Sequence, residues 1–169
     1  MPRYDLPRAA PEPLRLVQRI VNTIDREHGH EWLCSADDLA ALLGCDVSQA
    51  DVERARSLRE ALRQLLLANN GQPLEVDAVA TFNAAAGALA LRLEDGGQLE
   101  IASEDALGRI VAIAVGAMLD GTWSRLKACR NCGWAFYDSS KNRSASWCSM
   151  QLCGNRLKTR AYRSRKARR

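Results

Sequence analysis

The chain has 169 residues, 47% apolar and 26% charged, which suits one packed domain of ordinary size plus a small module. No apolar run approaches the ~20 residues of a membrane-spanning helix; the longest candidate is Ile110 to Leu119, so no membrane partner is expected. The net charge of +4 conceals a split: residues 125–169 carry 13 Lys and Arg against one acid, Asp138, a formal +12, whereas residues 1–124 carry 11 bases against 19 acids, a formal −8.

The opening MPRYDLPRAAPEP is Pro-rich and lacks the apolar core of a secretory signal, so a cytoplasmic setting is expected. Leu14, Val17, Ile20, Val21 and Ile24 recur at helical spacing and predict a helix that ends before Gly29. Ser35 opens S-A-D-D, an N-cap with acids in the first turn, for a short helix through Leu39, Leu42 and Leu43 that Gly44 stops. Asp46 or Ser48 opens the next helix, with Val52, Ala55, Leu58, Leu62, Leu65 and Leu66 inward and Asn69-Asn70-Gly71 at its end. Arg54, Arg56, Arg59 and Arg63 are expected on its solvated side, partnered by Glu53 and Glu60. Residues 75–86 predict a further helix, rich in alanine. The period then changes to two: Leu89, Leu91 and Leu93, the turn Asp95-Gly96-Gly97, then Leu99 and Ile101 read as a β-hairpin. Ser103-Glu104-Asp105 is expected to cap a last, central helix whose broad apolar faces run through Ile110, Val111, Ile113, Ala114, Val115 and Met118 to a break at Asp120-Gly121.

Beyond that break lie four cysteines, Cys129, Cys132, Cys148 and Cys153, spaced C-x2-C-x15-C-x4-C. Thiolates are zinc ligands, and a two-residue gap lets the sulfurs of Cys129 and Cys132 meet one ion from a tight turn that Gly133 relieves. Four thiolates leave no open position, so the expected cofactor is one structural zinc ion. Two disulfides are the alternative, disfavoured in a cytoplasmic setting. About 40 residues cannot build a sufficient core alone, so metal is expected to stand in for one. Trp134, Phe136, Tyr137 and Trp147 are expected to pack around it.

The string ACRNCGWAFYDSSKNRSASWCSMQLCGNRLKTR, residues 128–160, resembles the CGNR-type zinc finger through Cys153-Gly154-Asn155-Arg156, Phe136, Asp138, Lys141-Asn142-Arg143-Ser144 and Trp147-Cys148-Ser149-Met150. The front of the chain resembles that finger's usual partner, the ABATE domain, through Val21-Asn22-Thr23 and Asp25 on the first helix. The resemblance implies an α+β fold: a mostly helical N-terminal domain with one β-hairpin over 1–124, then a small treble-clef-like zinc module and a basic C-terminal helix over 125–169. It also implies a stress-induced transcription regulator. The chain departs from the family in one place: Ala145 and Ser146 stand where two arginines often precede Trp-Cys, which removes positive charge from that loop.

A strongly basic segment joined to a zinc module points to nucleic acid, with duplex DNA the leading partner. The candidate contacts are Lys141 and Arg143 in the loop between the cysteine pairs, and Arg156, Lys158, Arg160, Arg163, Arg165 and Lys166 beyond them. RNA or ribosome binding, and docking to an acidic protein, are the rival readings. Gly154 is read as a site of close backbone approach or positive φ, and Asn155 as a residue that orients the thiolates. In the N-terminal part, polar Asn22 and Asp25 on an apolar helix need partners. Two readings are open for them: a buried network or cap, and a small-ligand pocket for an effector. The N-terminal domain is expected to sense such an effector or to form a homodimer. His28 and His30, with Glu27 and Glu31, are read as exposed residues at a helix end rather than as metal ligands, and Cys34 and Cys45 as small buried or half-buried residues. The sequence carries no nucleophile–base pattern, hydrolase metal motif or nucleotide loop, so no catalytic residue is assigned and no enzyme is expected.

Overall fold

The computed structural model describes residues 8–155 and Thr159. Helix α1 (Arg15–Val21) is shorter than its sequence pattern. It stops at Val21, where the chain turns through buried Asn22 and Thr23 and the Val21 carbonyl accepts from Arg63 Nη2 at 2.5 Å. A guanidinium there meets the negative end of the helix dipole. Ile24–Asp25 (β1) then leaves the expected helix and pairs antiparallel with His30–Glu31 (β2). The N-terminal domain therefore carries two hairpins rather than the one expected. Asp25 staples the turn between these strands, its carboxylate accepting from the Glu27 and His28 amides and from the His28 ring. Burial alone would raise the Asp25 carboxyl, and the bonds to His28 more than reverse that.

Helix α2 (Ala36–Leu43) and helix α3 (Gln49–Asn69) both begin in reciprocal caps. Ser35 with Asp38, and Ser48 with Asp51, each exchange side-chain and backbone bonds that satisfy the orphan amides of the first turn. Gly44, at φ 73°, ends α2 in the left-handed region that favours glycine. At 21 residues α3 is about 31 Å long, and it is the element against which α1, α2, helix α4 (Val76–Ala86) and the strand over Leu126–Ala128 pack. Leu62 and Leu66 on it are fully buried, each contributing about 1.5–3 kcal/mol by removal from water. The expected solvated arginine side holds only in part. Arg54 is exposed and Arg56 half-buried, but Arg59 and Arg63 are buried, because this helix has partners on more than one face.

Strands β3 (Ala90–Leu93) and β4 (Leu99–Ala102) form the expected hairpin, with Leu91 opposite Ile101 and Leu93 opposite Leu99. Helix α5 (Gly108–Leu119) begins later than the Ser103-Glu104-Asp105 cap implied. Ser103 Oγ accepts from the Asp105 amide and Asp105 Oδ1 from the Leu107 amide, so these side chains build a turn ahead of the helix. Gly108 lies so close to Ser103 that an added Cβ would sit 1.9 Å from its Oγ. Ile110, Val111, Ala114 and Ala117 of α5 are buried, whereas Met118 and Leu119 are exposed. Among the described residues no helix is long and apolar enough to cross a membrane. Cys34 and Cys45 are exposed, not buried as expected, since both sit in short connections at the ends of α2.

After a short 3-10 turn over Thr122–Arg125, strands β5 (Leu126–Ala128) and β6 (Ala135–Tyr137) form a third antiparallel hairpin. The aliphatic core that includes Val17, Ile20, Leu62, Leu66 and Ile110 continues into Leu126, Ala128 and Ala135 without interruption. The hairpin that leads to the cysteines is thus seated in the body's core.

Candidate metal centre

Cys129 follows β5 directly, and Cys132 lies in the tight turn before β6. That turn closes through a 2.8 Å bond from the Gly133 amide to the Cys129 carbonyl, with Gly133 at φ 75°, where a side chain would be strained. Cys148 and Cys153 enter from the other arm. Cys153 lies on a single wide helical turn, Met150–Gly154, started by Ser149, whose Oγ accepts from the Leu152 amide. Gly154 has no positive φ; it is needed for close approach, because an added Cβ would lie 2.6 Å from Met150 Sδ and 3.3 Å from Trp147 Cδ1. Phe136 is fully buried against Cys129, Cys148 and Cys153, with Trp134 and Trp147 packed at the margin as expected.

The four Sγ atoms lie within 4.8 Å of one another. Cys132 and Cys153 are each 3.6–3.7 Å from their neighbours in the cluster, as is Cys148. Tetrahedral zinc with Zn–S bonds near 2.3 Å has edges of about 3.8 Å, so the donor set and its spacing fit one zinc ion. All six cysteines are free thiols, which removes the disulfide alternative. Four thiols this close cannot ionise independently. Hydrogen bonds from Cys132 and Cys148 pull the Cys129 thiol far below its ordinary range; the same bond to Cys129 pushes Cys132 up to about 12, and bonds to Cys129 and Cys132 push Cys148 well above its usual value. A divalent cation resolves the conflict by ligating thiolates. Bound zinc would be held by the four sulfurs and would supply structural cohesion, with no ligand position left for chemistry.

Asn131 Nδ2 lies 3.5 Å from Cys153 Sγ and takes the orienting role that the sequence suggested for Asn155, which is exposed. The intervening loop is stapled by Lys127 and Asp138, both buried. Lys127 Nζ donates to Asp138 Oδ2 at 2.8 Å and to the carbonyls of Arg143 and Ala145, which occupies its three protons. Asp138 also accepts from the Ser140 amide and hydroxyl and from the Ala145 amide. Burial pushes this carboxyl up, but Lys127 and Ser140 outweigh it and hold it at about 2.

Side chains from the body reach the module along one seam. Asn22, fully buried, donates from Nδ2 to the Ala135 carbonyl at 2.9 Å and accepts from the Ala135 amide at 2.7 Å, pairing with β6 as a neighbouring strand would. Gln18 adds a second donor to the same carbonyl. Arg63 Nη1 donates to the Gly133 carbonyl at 2.6 Å. Asn69 donates to the carbonyls of Trp123 and Leu126, and Asn70 to those of Ala128 and Ser146. Arg130 returns the contact by donating to the Asn70 carbonyl. Glu60 joins Arg59 and Arg63, and Arg59 continues to Glu31 at 2.7 Å. Burial lowers the Arg63 pKa despite Glu60; burial raises that of Glu60, but Arg63 and Arg59 together bring it below its usual value.

Asn22 and Asp25 are thus not brought together: the first binds the module and the second closes the β1–β2 turn. Lys141 and Arg143 share one exposed loop, where Arg143 Nη1 donates to Ser124 Oγ. Arg156, Lys158, Arg160, Arg163, Arg165 and Lys166 lie outside the described residues. Gln18, Arg63, Asn69 and Asn70 were not singled out as site residues by sequence. The available signal was a polar residue at an inward helical position, as at Gln18 beside Val17.

Residues 125–166 match the family model of the CGNR zinc finger. Residues 14–121 match the ABATE model, described as Putative stress-induced transcription regulator. Among curated proteins, none matches the chain.

Proposed function

The chain belongs to the ABATE family and carries a CGNR zinc finger, and from that premise we propose that it is a cytoplasmic, zinc-dependent transcription regulator that binds duplex DNA through its C-terminal segment. The observation that carries the reading is the formal +12 over residues 125–169, which contain the cysteine site, beside a body of −8. Such a segment attracts phosphate, and the acidic body discourages the rest of the surface from doing so. Lys141 and Arg143 contribute from the loop, with Arg156, Lys158, Arg160, Arg163, Arg165 and Lys166 beyond the cysteines. The packing of Phe136 and Trp147 on the sulfurs favours duplex over single-stranded RNA, whose recognition uses exposed stacking rings. The body serves as the sensing or dimerisation half, and the whole is a binding protein rather than an enzyme.

Titration of the zinc-loaded protein against labelled duplex at several salt concentrations tests this. With about five cations on phosphates, log K falls against log salt with a slope near −4 to −5. Deleting residues 158–169 is expected to flatten that slope while zinc stays bound, since every cysteine ligand is spared. Absence of binding at low salt, with zinc confirmed, would overturn the reading in favour of docking to an acidic protein. Tighter binding to single-stranded RNA would overturn it in favour of the RNA reading.

A further inference from the structure

The β3–β4 hairpin leaves one of its faces apolar. Its register places Leu91 opposite Ile101 and Leu93 opposite Leu99, so these four side chains share a face. Leu91 is 68% exposed, Leu93 74% and Leu99 65%. A two-stranded sheet is marginal unless its apolar face is covered. Beside it runs a groove of about 800 Å³ in which Leu99 and Ile101 form one wall, Leu14 another, and Ala112, Ile113 and Gly116 of α5 the floor. The floor is open at Gly116, where an added Cβ would meet nothing within 4 Å. The chain thus carries an apolar ridge and an apolar groove side by side.

We propose that this ridge and groove form a two-fold interface with a second copy of the chain, each copy's hairpin leucines seated in the other's groove. Three observations select a second copy over another partner. Ridge and groove are contiguous on one chain, so a two-fold axis places each against its complement, as an isologous interface requires. The groove is lined by Arg92 and Arg109 together with Glu12, Glu100 and Asp120, a mixed set that can match itself with opposite signs across such an axis. This near-neutral lining suits association of two bodies that each carry −8. The area also suffices. The leucines expose a few hundred Å², the size at which a patch marks an interface, and ridge plus groove from both copies approach the ~1,200 Å² at which stable interfaces begin. The inference does not depend on the nucleic-acid reading.

The test is light scattering or sedimentation equilibrium on the full, zinc-loaded chain from low micromolar to several hundred micromolar. The expected mass is that of two chains. Leu93→Glu blunts the ridge and Gly116→Gln fills the groove; each alone is expected to return the mass of one chain, with helix content by circular dichroism matched to the parent. Mixing the two variants is expected to give association tighter than either variant shows alone but weaker than the parent, because one of the two hairpin–groove contacts is then intact and the other is not. A one-chain mass for the parent throughout that range overturns the proposal. So does a two-chain mass retained by either folded variant, or a mixture that associates no more tightly than either variant alone.

Discussion

The helical body and the cysteine module are held by different forces. In the body, Val17, Ile20, Leu39, Leu62, Leu66 and Ile110 bury aliphatic surface around α3. In the module, Cys129, Cys148, Cys153 and Phe136 form the buried apolar cluster among the described residues, with half-buried Cys132 at its edge, and a bound metal ion would hold the two cysteine arms together. The module is not simply appended, however. Its hairpin shares the body's core through Leu126, Ala128 and Ala135, and its turns are bonded by side chains of α1 and α3. A site too small to support itself borrows rigidity from its neighbour, and the polar residues lent to it are fixed by the partner they reach rather than by their own helix.

Removing zinc is expected to have the largest effect, because structural sites contribute on the order of 10 kcal/mol. The difference in forces predicts a boundary: chelation releases residues 138–155, while β5, β6 and the helices keep their hydrogen-exchange protection. Loss of protection throughout the helices would break the comparison. Arg63→Met is expected next. It removes the donors to the Val21 and Gly133 carbonyls, costing about 2–4 kcal/mol through acceptors left unpaired, while Glu60, 42% exposed, keeps Arg59. Zinc affinity should also fall roughly tenfold or more as the knuckle loosens. Arg54→Met, exposed on the same helix, should stay within about 1 kcal/mol, so denaturant titrations of the pair isolate the seam. Asn22→Ala strips the Ala135 amide of its acceptor and should lower stability by about 1–3 kcal/mol. If the role is structural, thermal melts with and without a metabolite panel will show that loss and no ligand-dependent shift.

One further effect depends on pH. The Asp138 carboxyl is held at about 2 when folded, against an ordinary value of 3.8. A depressed carboxyl stabilises above its unfolded pKa, and that contribution disappears as pH falls through the folded value. The stability difference between zinc-loaded parent and Asp138→Asn is therefore expected to be about 2 kcal/mol at pH 7, and acidification removes it together with the zinc, whose thiolate ligands protonate in the same direction. No difference at pH 7 would remove the buried Lys127–Asp138 pair from the forces holding the loop.

The cysteine ligands were legible because coordination chemistry is written in spacing: C-x2-C fixes a turn, and four thiols suffice for a tetrahedron. Helices α2 and α3 were legible for a similar reason, since Ser35 and Ser48 make their caps within four residues. The end of α1 was not. Its apolar period continues through Ile24, but Arg63 and Ala135, both distant in sequence, claim Val21 and Asn22 and turn the chain. Arg59 and Arg63 misled for the same reason: an arginine at a polar helical position reads as solvated until another element covers it.

The sequence alone therefore determined the zinc ligands, the order of the helices, the β3–β4 hairpin and the separation of charge, all of which depend on neighbours or on composition. Tertiary structure alone decided that Asn22 pairs with β6 rather than standing beside Asp25, that Asn69 and Asn70 carry the strand to the cysteines, and that Arg63 is buried at the knuckle. Each of these depends on a backbone carbonyl or amide brought near by folding, and every residue has the same backbone groups, so the sequence holds no mark of which one will be met.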